Sequence, residues 1–139
     1  MSNSFCVGVI GGGQLARMMI PASINLGIDL TVFSEERKSP AWLASSAVGD
    51  YRGVIEVLGF ASKVDVLTFD HEHVPLDILR RVKEKGTPVR PSPQALALAQ
   101  NKITMRRGLT ELDIPQPRWA VVERLSDADE AVERVGGFP

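Results

Sequence analysis

Three short stretches of this 139-residue chain hold residue types that can do chemistry. The first is Gly11-Gly12-Gly13, followed by Gln14-Leu15-Ala16. Gly11, Gly13 and Ala16 satisfy the alanine-ended form of the dinucleotide fingerprint. In that motif, backbone without Cβ approaches an anion, and a helix N-terminus supplies unpaired N–H groups and the positive end of a dipole. Glu35 follows about 20 residues further on, where such modules carry a ribose-binding acid. The same glycines also suit a plain tight strand-to-helix turn, and both readings stay open. The second stretch is Asp70-His71-Glu72-His73, at the end of an apolar run. Open α/β proteins bind ligands at the carboxyl ends of their strands. Continued strand alternation would send Asp70 and Glu72 to one side and His71 and His73 to the other. A His-x-His pair can hold a metal, but no third ligand lies nearby in the sequence, and hydrogen-bonding polar residues at a strand end are the plainer reading. Glu72 is the candidate acceptor for a hydroxyl or amine. The third stretch places Lys102, Arg106 and Arg107 at helical separations, which suits either a solvated face or an anion contact.

The elements that must position these residues follow from periodicity. Residues 4–10 form a short apolar run bounded by turn residues, which predicts a buried strand. A helix is expected from Gln14 to about Leu26, with Leu15, Met18, Met19 and Ala22 on one face and Pro21 as a kink or boundary. Gly27 would stop it, and residues 28–34 would make a second strand, completing a parallel β-α-β unit with a right-handed crossover. Further on, the sequence predicts a helical turn within 39–46, a brief strand, a helix over 53–63, a strand over 64–69 and an amphipathic helix over 74–86. The alternation is that of a doubly wound α/β fold. From Ser92 the character changes. Residues 92–117 read as helical with a break near Asn101, 118–123 as a strand, and 126–137 as a helix capped by Ser126 or Asp127. The expected division is therefore 1–92 and 93–139.

Composition narrows the function classes. Sixteen basic and 17 acidic side chains leave a formal charge of -1, which gives no electrostatic reason for a nucleic-acid or anionic-membrane partner. No apolar run approaches the length of a membrane span, and the N-terminus lacks the pattern of a signal peptide, so a cytoplasmic protein is expected. Cys6, the single cysteine, lies in the first apolar run and reads as a buried thiol, not a nucleophile. The chain stops after a helix and Gly136-Gly137, where an α/β domain would enter its next strand, and is expected to be a fragment.

In order and spacing, the three stretches resemble the N-terminal part of the 5-(carboxyamino)imidazole ribonucleotide synthases, ATP-grasp ligases of purine biosynthesis. Residues 8–19 (GVIGGGQLARMM) resemble the family's glycine-rich opening, 68–75 (TFDHEHVP) its strand-end acidic segment, and 90–119 the stretch leading into the ATP-grasp domain. Departures are Asp70 for a usual Glu, His71 for Phe, His73 for Asn, and Ala16 where Gly is common; Glu72 is retained. The resemblance implies a Rossmann-like (pre-ATP-grasp) parallel sheet with flanking helices, followed by the first elements of an ATP-grasp domain. It implies that Gly13, Gln14, Leu15 and Glu72 bind aminoimidazole ribonucleotide and that Lys102 reaches ATP. ATP and Mg²⁺ would activate bicarbonate for transfer to the substrate amine, in a homodimer. The family's strand lysine, phosphate loop, adenine hinge and Mg²⁺ carboxylates would lie beyond Pro139, so no catalytic or metal-binding residue is assigned here and the chain alone is expected to be inactive. Three other readings remain. They are a nicotinamide-binding module built on Gly11, Gly13, Ala16 and Glu35, a related ligase such as a formate-dependent glycinamide ribonucleotide transformylase, expected to carry Glu at Gln14, and a non-catalytic interaction domain.

Overall fold

A computed structural model describes residues 4–137. Four parallel strands form one sheet: β1 (Cys6–Ile10), β2 (Asp29–Ser34), β3 (Ser45–Val48) and β4 (Val66–Phe69), in the spatial order β3-β2-β1-β4. Val9 pairs with Val32 on one side and with Thr68 on the other. Residues 87–90 extend the sheet beyond β4: Leu67 donates its N–H to Pro88 O at 2.8 Å, and Arg90 donates to Leu67 O at 2.9 Å. The strands alternate with helices α1 (Gln14–Leu26), α2 (Val54–Ala61), α3 (Leu76–Glu84) and α4 (Pro93–Gln100). The chain thus has the expected α/β architecture, a parallel sheet with flanking helices.

The two faces of the sheet are unequally covered. Ile10, Phe33 and Leu67 pack with Val57 and Phe60 of α2, Ile78, Leu79 and Val82 of α3, and Leu96 of α4. On the other face Val9 and Val32 meet the small side chains of Ala16 of α1 and Ala41, with partly buried Met19 and Ala44 packed against them. The expected apolar face of α1 is the buried one only in part: Met19 packs against the core, but Leu15 is 58% exposed and Met18 69%, while Ala16 is fully buried. A helical period shows that apolar residues share a side, but the tight glycine turn sets the helix's rotation, and it turns Ala16 to the sheet. Pro21 neither ends nor divides α1, which continues to Leu26 and closes on Gly27 in the left-handed conformation.

Contacts divide the chain into two units, one ending at Gln100 and one beginning at Asn101. α4 lies in the first, where Pro93 and Leu96 are buried. The second holds α5 (Lys102–Glu111) and α6 (Ala128–Val135). Asn101 caps α5 by accepting the Thr104 N–H at 3.0 Å, so the break near Asn101 is a helix N-terminus. The strand expected over 118–123 is irregular instead. A strand is made by its ladder, and the described residues of this unit include no other strand to pair with. Asp127 occupies the N-cap position of α6 without capping it; its carboxylate accepts from the Arg124 N–H and the Ser126 hydroxyl.

Candidate functional site

The glycine turn joins β1 to α1 at the carboxyl edge of the sheet. Because β4 pairs directly with β1, the residue that follows β4 arrives beside that turn. Asp70 prolongs the ladder by donating its N–H to Ile10 O at 2.9 Å. Its Oδ2 accepts the Gly13 N–H at 2.7 Å, so a carboxylate 57 residues away in sequence serves the N-terminus of α1, where negative charge is favoured. The fit requires glycine. Gly11 has φ +100°, and a Cβ there would overlap Asp70 Oδ1; one on Gly13 would lie 2.6 Å from Oδ2.

A second carboxylate approaches from the end of β2. Glu35 Oε2 accepts the Gly12 N–H at 3.4 Å, and its Oε1 lies 3.2 Å from His71 Nε2. The His73 N–H donates to His71 Nδ1 at 3.2 Å, so the ring hydrogen facing Glu35 sits on Nε2. The Tyr51 ring stands edge-on to His71 at 4.8 Å, with the Arg52 guanidinium 4.5 Å from the Tyr51 centroid. His71 is thereby held on two sides and steadies Glu35.

Between these groups lies an open cleft of about 680 Å³. Gly13, Gln14 and Leu15 line it, together with Glu35, Asp70 and His71. Two buried polar atoms lack a hydrogen-bond partner among the described residues, Ser39 Oγ and Asp70 Oδ1, and both residues line this cleft. The carboxylates of Glu35, Glu36 and Asp70, with the Gln14 side-chain amide, dominate its polar lining, which suits a ligand that offers hydroxyl or amine hydrogens.

Of the residues singled out in the sequence, Gly13, Gln14 and Leu15 stand together in the cleft. Glu72 is exposed and not among the lining residues. The expected alternation fails at this point. β4 ends at Phe69 and the chain turns through 70–74, so Asp70 and His71 share the cleft instead of facing opposite ways. Lys102 is exposed at the first position of α5, in the second unit. Cys6 lies in β1, where burial, and then the charges of Asp29 and Asp65, push its thiol upward and away from the reactive thiolate. Sequence reasoning missed the bond from Gly13 to Asp70 and the pair Glu35 and His71. Their signal is strand order, which brings the ends of β1, β2 and β4 side by side and is not written in any one segment. The two-carboxylate arrangement also bears on the dinucleotide reading. A pyrophosphate at the turn needs N–H groups that Asp70 and Glu35 already occupy, and would meet two negative charges.

Comparison with known proteins agrees with this architecture. Residues 5–100 match the family model of the ribonucleotide synthetase preATP-grasp domain. The N5-carboxyaminoimidazole ribonucleotide synthase of Corynebacterium ammoniagenes is 41% identical over 124 residues, 88% of this chain and 30% of that protein. The crystal structure of the N5-carboxyaminoimidazole ribonucleotide synthetase from Thermus thermophilus superposes with a TM-score of 0.84 at 29% identity, covering 94% of this chain and 36% of that one. A synthase from Aspergillus clavatus, in complex with ADP and 5-aminoimidazole ribonucleotide, superposes with a TM-score of 0.84 at 32% identity, over 98% of this chain and 37% of the other. The chain spans about a third of the length of the relatives it matches. Sheet order, glycine turn and the match over 5–100 lead to one conclusion: the chain belongs to the ribonucleotide synthetase preATP-grasp family.

Proposed function

We propose that this chain is the substrate-side part of a ligase that carboxylates the exocyclic amine of 5-aminoimidazole ribonucleotide at the expense of ATP and bicarbonate. The observation that carries this reading is the glycine-turn cleft, whose amides are occupied by Asp70 and Glu35 and whose lining offers acceptors to hydroxyls and amines, so that the ribose and amine of the ribonucleotide, not its phosphate, would face the turn. The relatives' names point to the same substrate. Gly13, Gln14 and Leu15 would line the ribonucleotide site, Glu72 would contact its ribose or amine from the exposed turn after β4, and Lys102 would serve ATP. This part of the chain is the pre-ATP-grasp domain, and the segment from α5 onward opens the ATP-grasp domain.

In the reaction, a bicarbonate oxygen takes the γ-phosphoryl group of ATP, giving carboxyphosphate and ADP. The amine nitrogen then attacks the carboxyl carbon, the C–N bond forms, phosphate leaves and the nitrogen loses a proton. Phosphoryl transfer requires cationic stabilisation of its developing charge. ATP and Mg²⁺ are the cofactors of this reading; among the described residues no three of His, Cys, Asp and Glu converge. The ligase works as a homodimer in this reading, and Met18, Ile24 and Leu26 on α1 supply exposed apolar surface for association. No helix among the described residues is long and apolar enough to cross a membrane.

The test is an assay of the natural gene product that carries this chain. ATP hydrolysis that requires both aminoimidazole ribonucleotide and bicarbonate is the expected result, with no turnover by residues 1–139 alone. Absence of that dependence, together with saturable quenching of Trp42 or Trp119 by NADH, would replace the ligase reading with a nicotinamide-binding module.

A further inference from the structure

Gln100 is the last residue of α4, and its side-chain nitrogen donates twice, to Glu72 O at 2.7 Å and to Val74 O at 2.9 Å. Both partners are carbonyl oxygens, which only accept. The nitrogen of the amide must therefore face them, with both its hydrogens engaged. The segment it grips is otherwise sparsely tied. The last ladder bond before it is Asp70 N–H to Ile10 O, and the first helical bond after it is Leu79 N–H to Pro75 O. Between them stand the His71 contact with Glu35 at its start, the local contact from His73 N–H to His71 Nδ1 and the two bonds from Gln100, which among the described residues alone hold the backbone beyond His71 to another element. Val74 is fully buried, whereas Glu72 projects from the exposed part of the turn.

We propose that Gln100 is a positioning residue for the substrate-side cleft. By clamping the carbonyls of Glu72 and Val74, it fixes the turn that presents Glu72, while Asp70 and His71 at the start of that turn stay against the glycine loop. This inference rests on the substrate role proposed for Glu72, and the test separates the two.

The experiment is a titration of the ¹⁵N-labelled chain with 5-aminoimidazole ribonucleotide, followed by backbone amide shifts. In the wild type, the amides of Gly13, Gln14, Leu15 and Glu72 are expected to move together. In Gln100→Ala, the glycine-turn amides should still respond, the Glu72 response should vanish and the affinity should fall about tenfold. Unchanged affinity and an unchanged shift pattern in Gln100→Ala would overturn the role of Gln100 and leave the cleft reading standing. No response at Gly13 to Leu15 in the wild type would overturn the cleft reading and this inference with it. Gln100→Glu supplies a readout that a packing role would not move and carries the test if the alanine variant does not fold. Ionised, that carboxylate sets negative oxygen against two carbonyls; protonated, it regains one donor. The ratio of its affinity to that of the wild type should therefore recover as the pH falls from 8 to 5, and a flat ratio would overturn the inference.

Discussion

Asp70 is the side chain on which the candidate site turns. One oxygen serves the Gly13 N–H and the other is buried without a partner against Gly11. A charge-assisted bond of this kind contributes about 1.5–3 kcal/mol, and leaving its donor unmet adds a desolvation cost. Asp70→Ala should therefore lower the unfolding free energy by about 2–3 kcal/mol. Asp70→Asn keeps an acceptor for Gly13 and should cost about 1 kcal/mol. Urea unfolding of the two variants checks this, and equal losses would show that the Gly13 bond contributes nothing. Glu35 differs in kind: its bond to the Gly12 N–H is long at 3.4 Å, and its side chain is 44% exposed. Its orientation depends on His71, which this chain carries where the resembled family has Phe.

At the scale of elements, neighbours decide what a segment becomes. β4 persists while β1 and the 87–90 segment pair with it, and the chain turns once Asp70 has made its last ladder bond. Residues 118–123 have a strand's composition but no ladder, and remain irregular. The break read near Asn101 is, in the structure, a helix cap: Asn101 precedes α5 and its side chain accepts the Thr104 N–H. Asn101→Ala should destabilise the first turn of α5 by about 1 kcal/mol. That corresponds to roughly fivefold faster amide exchange at Thr104 to Arg106. Asn101→Asp, which preserves the acceptor, should leave the rates near those of the wild type. Indistinguishable rates in wild type and Asn101→Ala would mean that the cap does not hold α5.

Across the whole molecule, stability is unevenly placed. The buried core residues belong to the first unit, and among the described residues from Asn101 onward none is buried. Leu112, Val122 and Leu125 of the second unit are exposed. With its apolar residues at most partly buried, little offsets the entropy of ordering α5 and α6. Hydrogen exchange should accordingly protect the amides of β1, β2 and β4 by orders of magnitude more than those of α5 and α6. Comparable protection in both units would show that the second unit has a cohesion its burial does not explain. The sequence by itself determined the alternation of strands and helices, the glycine turn at Gly11 to Gly13 and the break in the helical stretch near Asn101. Each of these depends on residues within a few positions of one another, through periodicity, backbone freedom or a capping side chain. Only the tertiary structure decided which strand lies beside β1, and with it that Asp70 closes the turn's amides, that Glu35 meets His71 and that Gln100 grips the Glu72 turn. These contacts join positions 26 to 57 residues apart, and no local preference specifies them. They arise when burial of both sheet faces fixes the strand order.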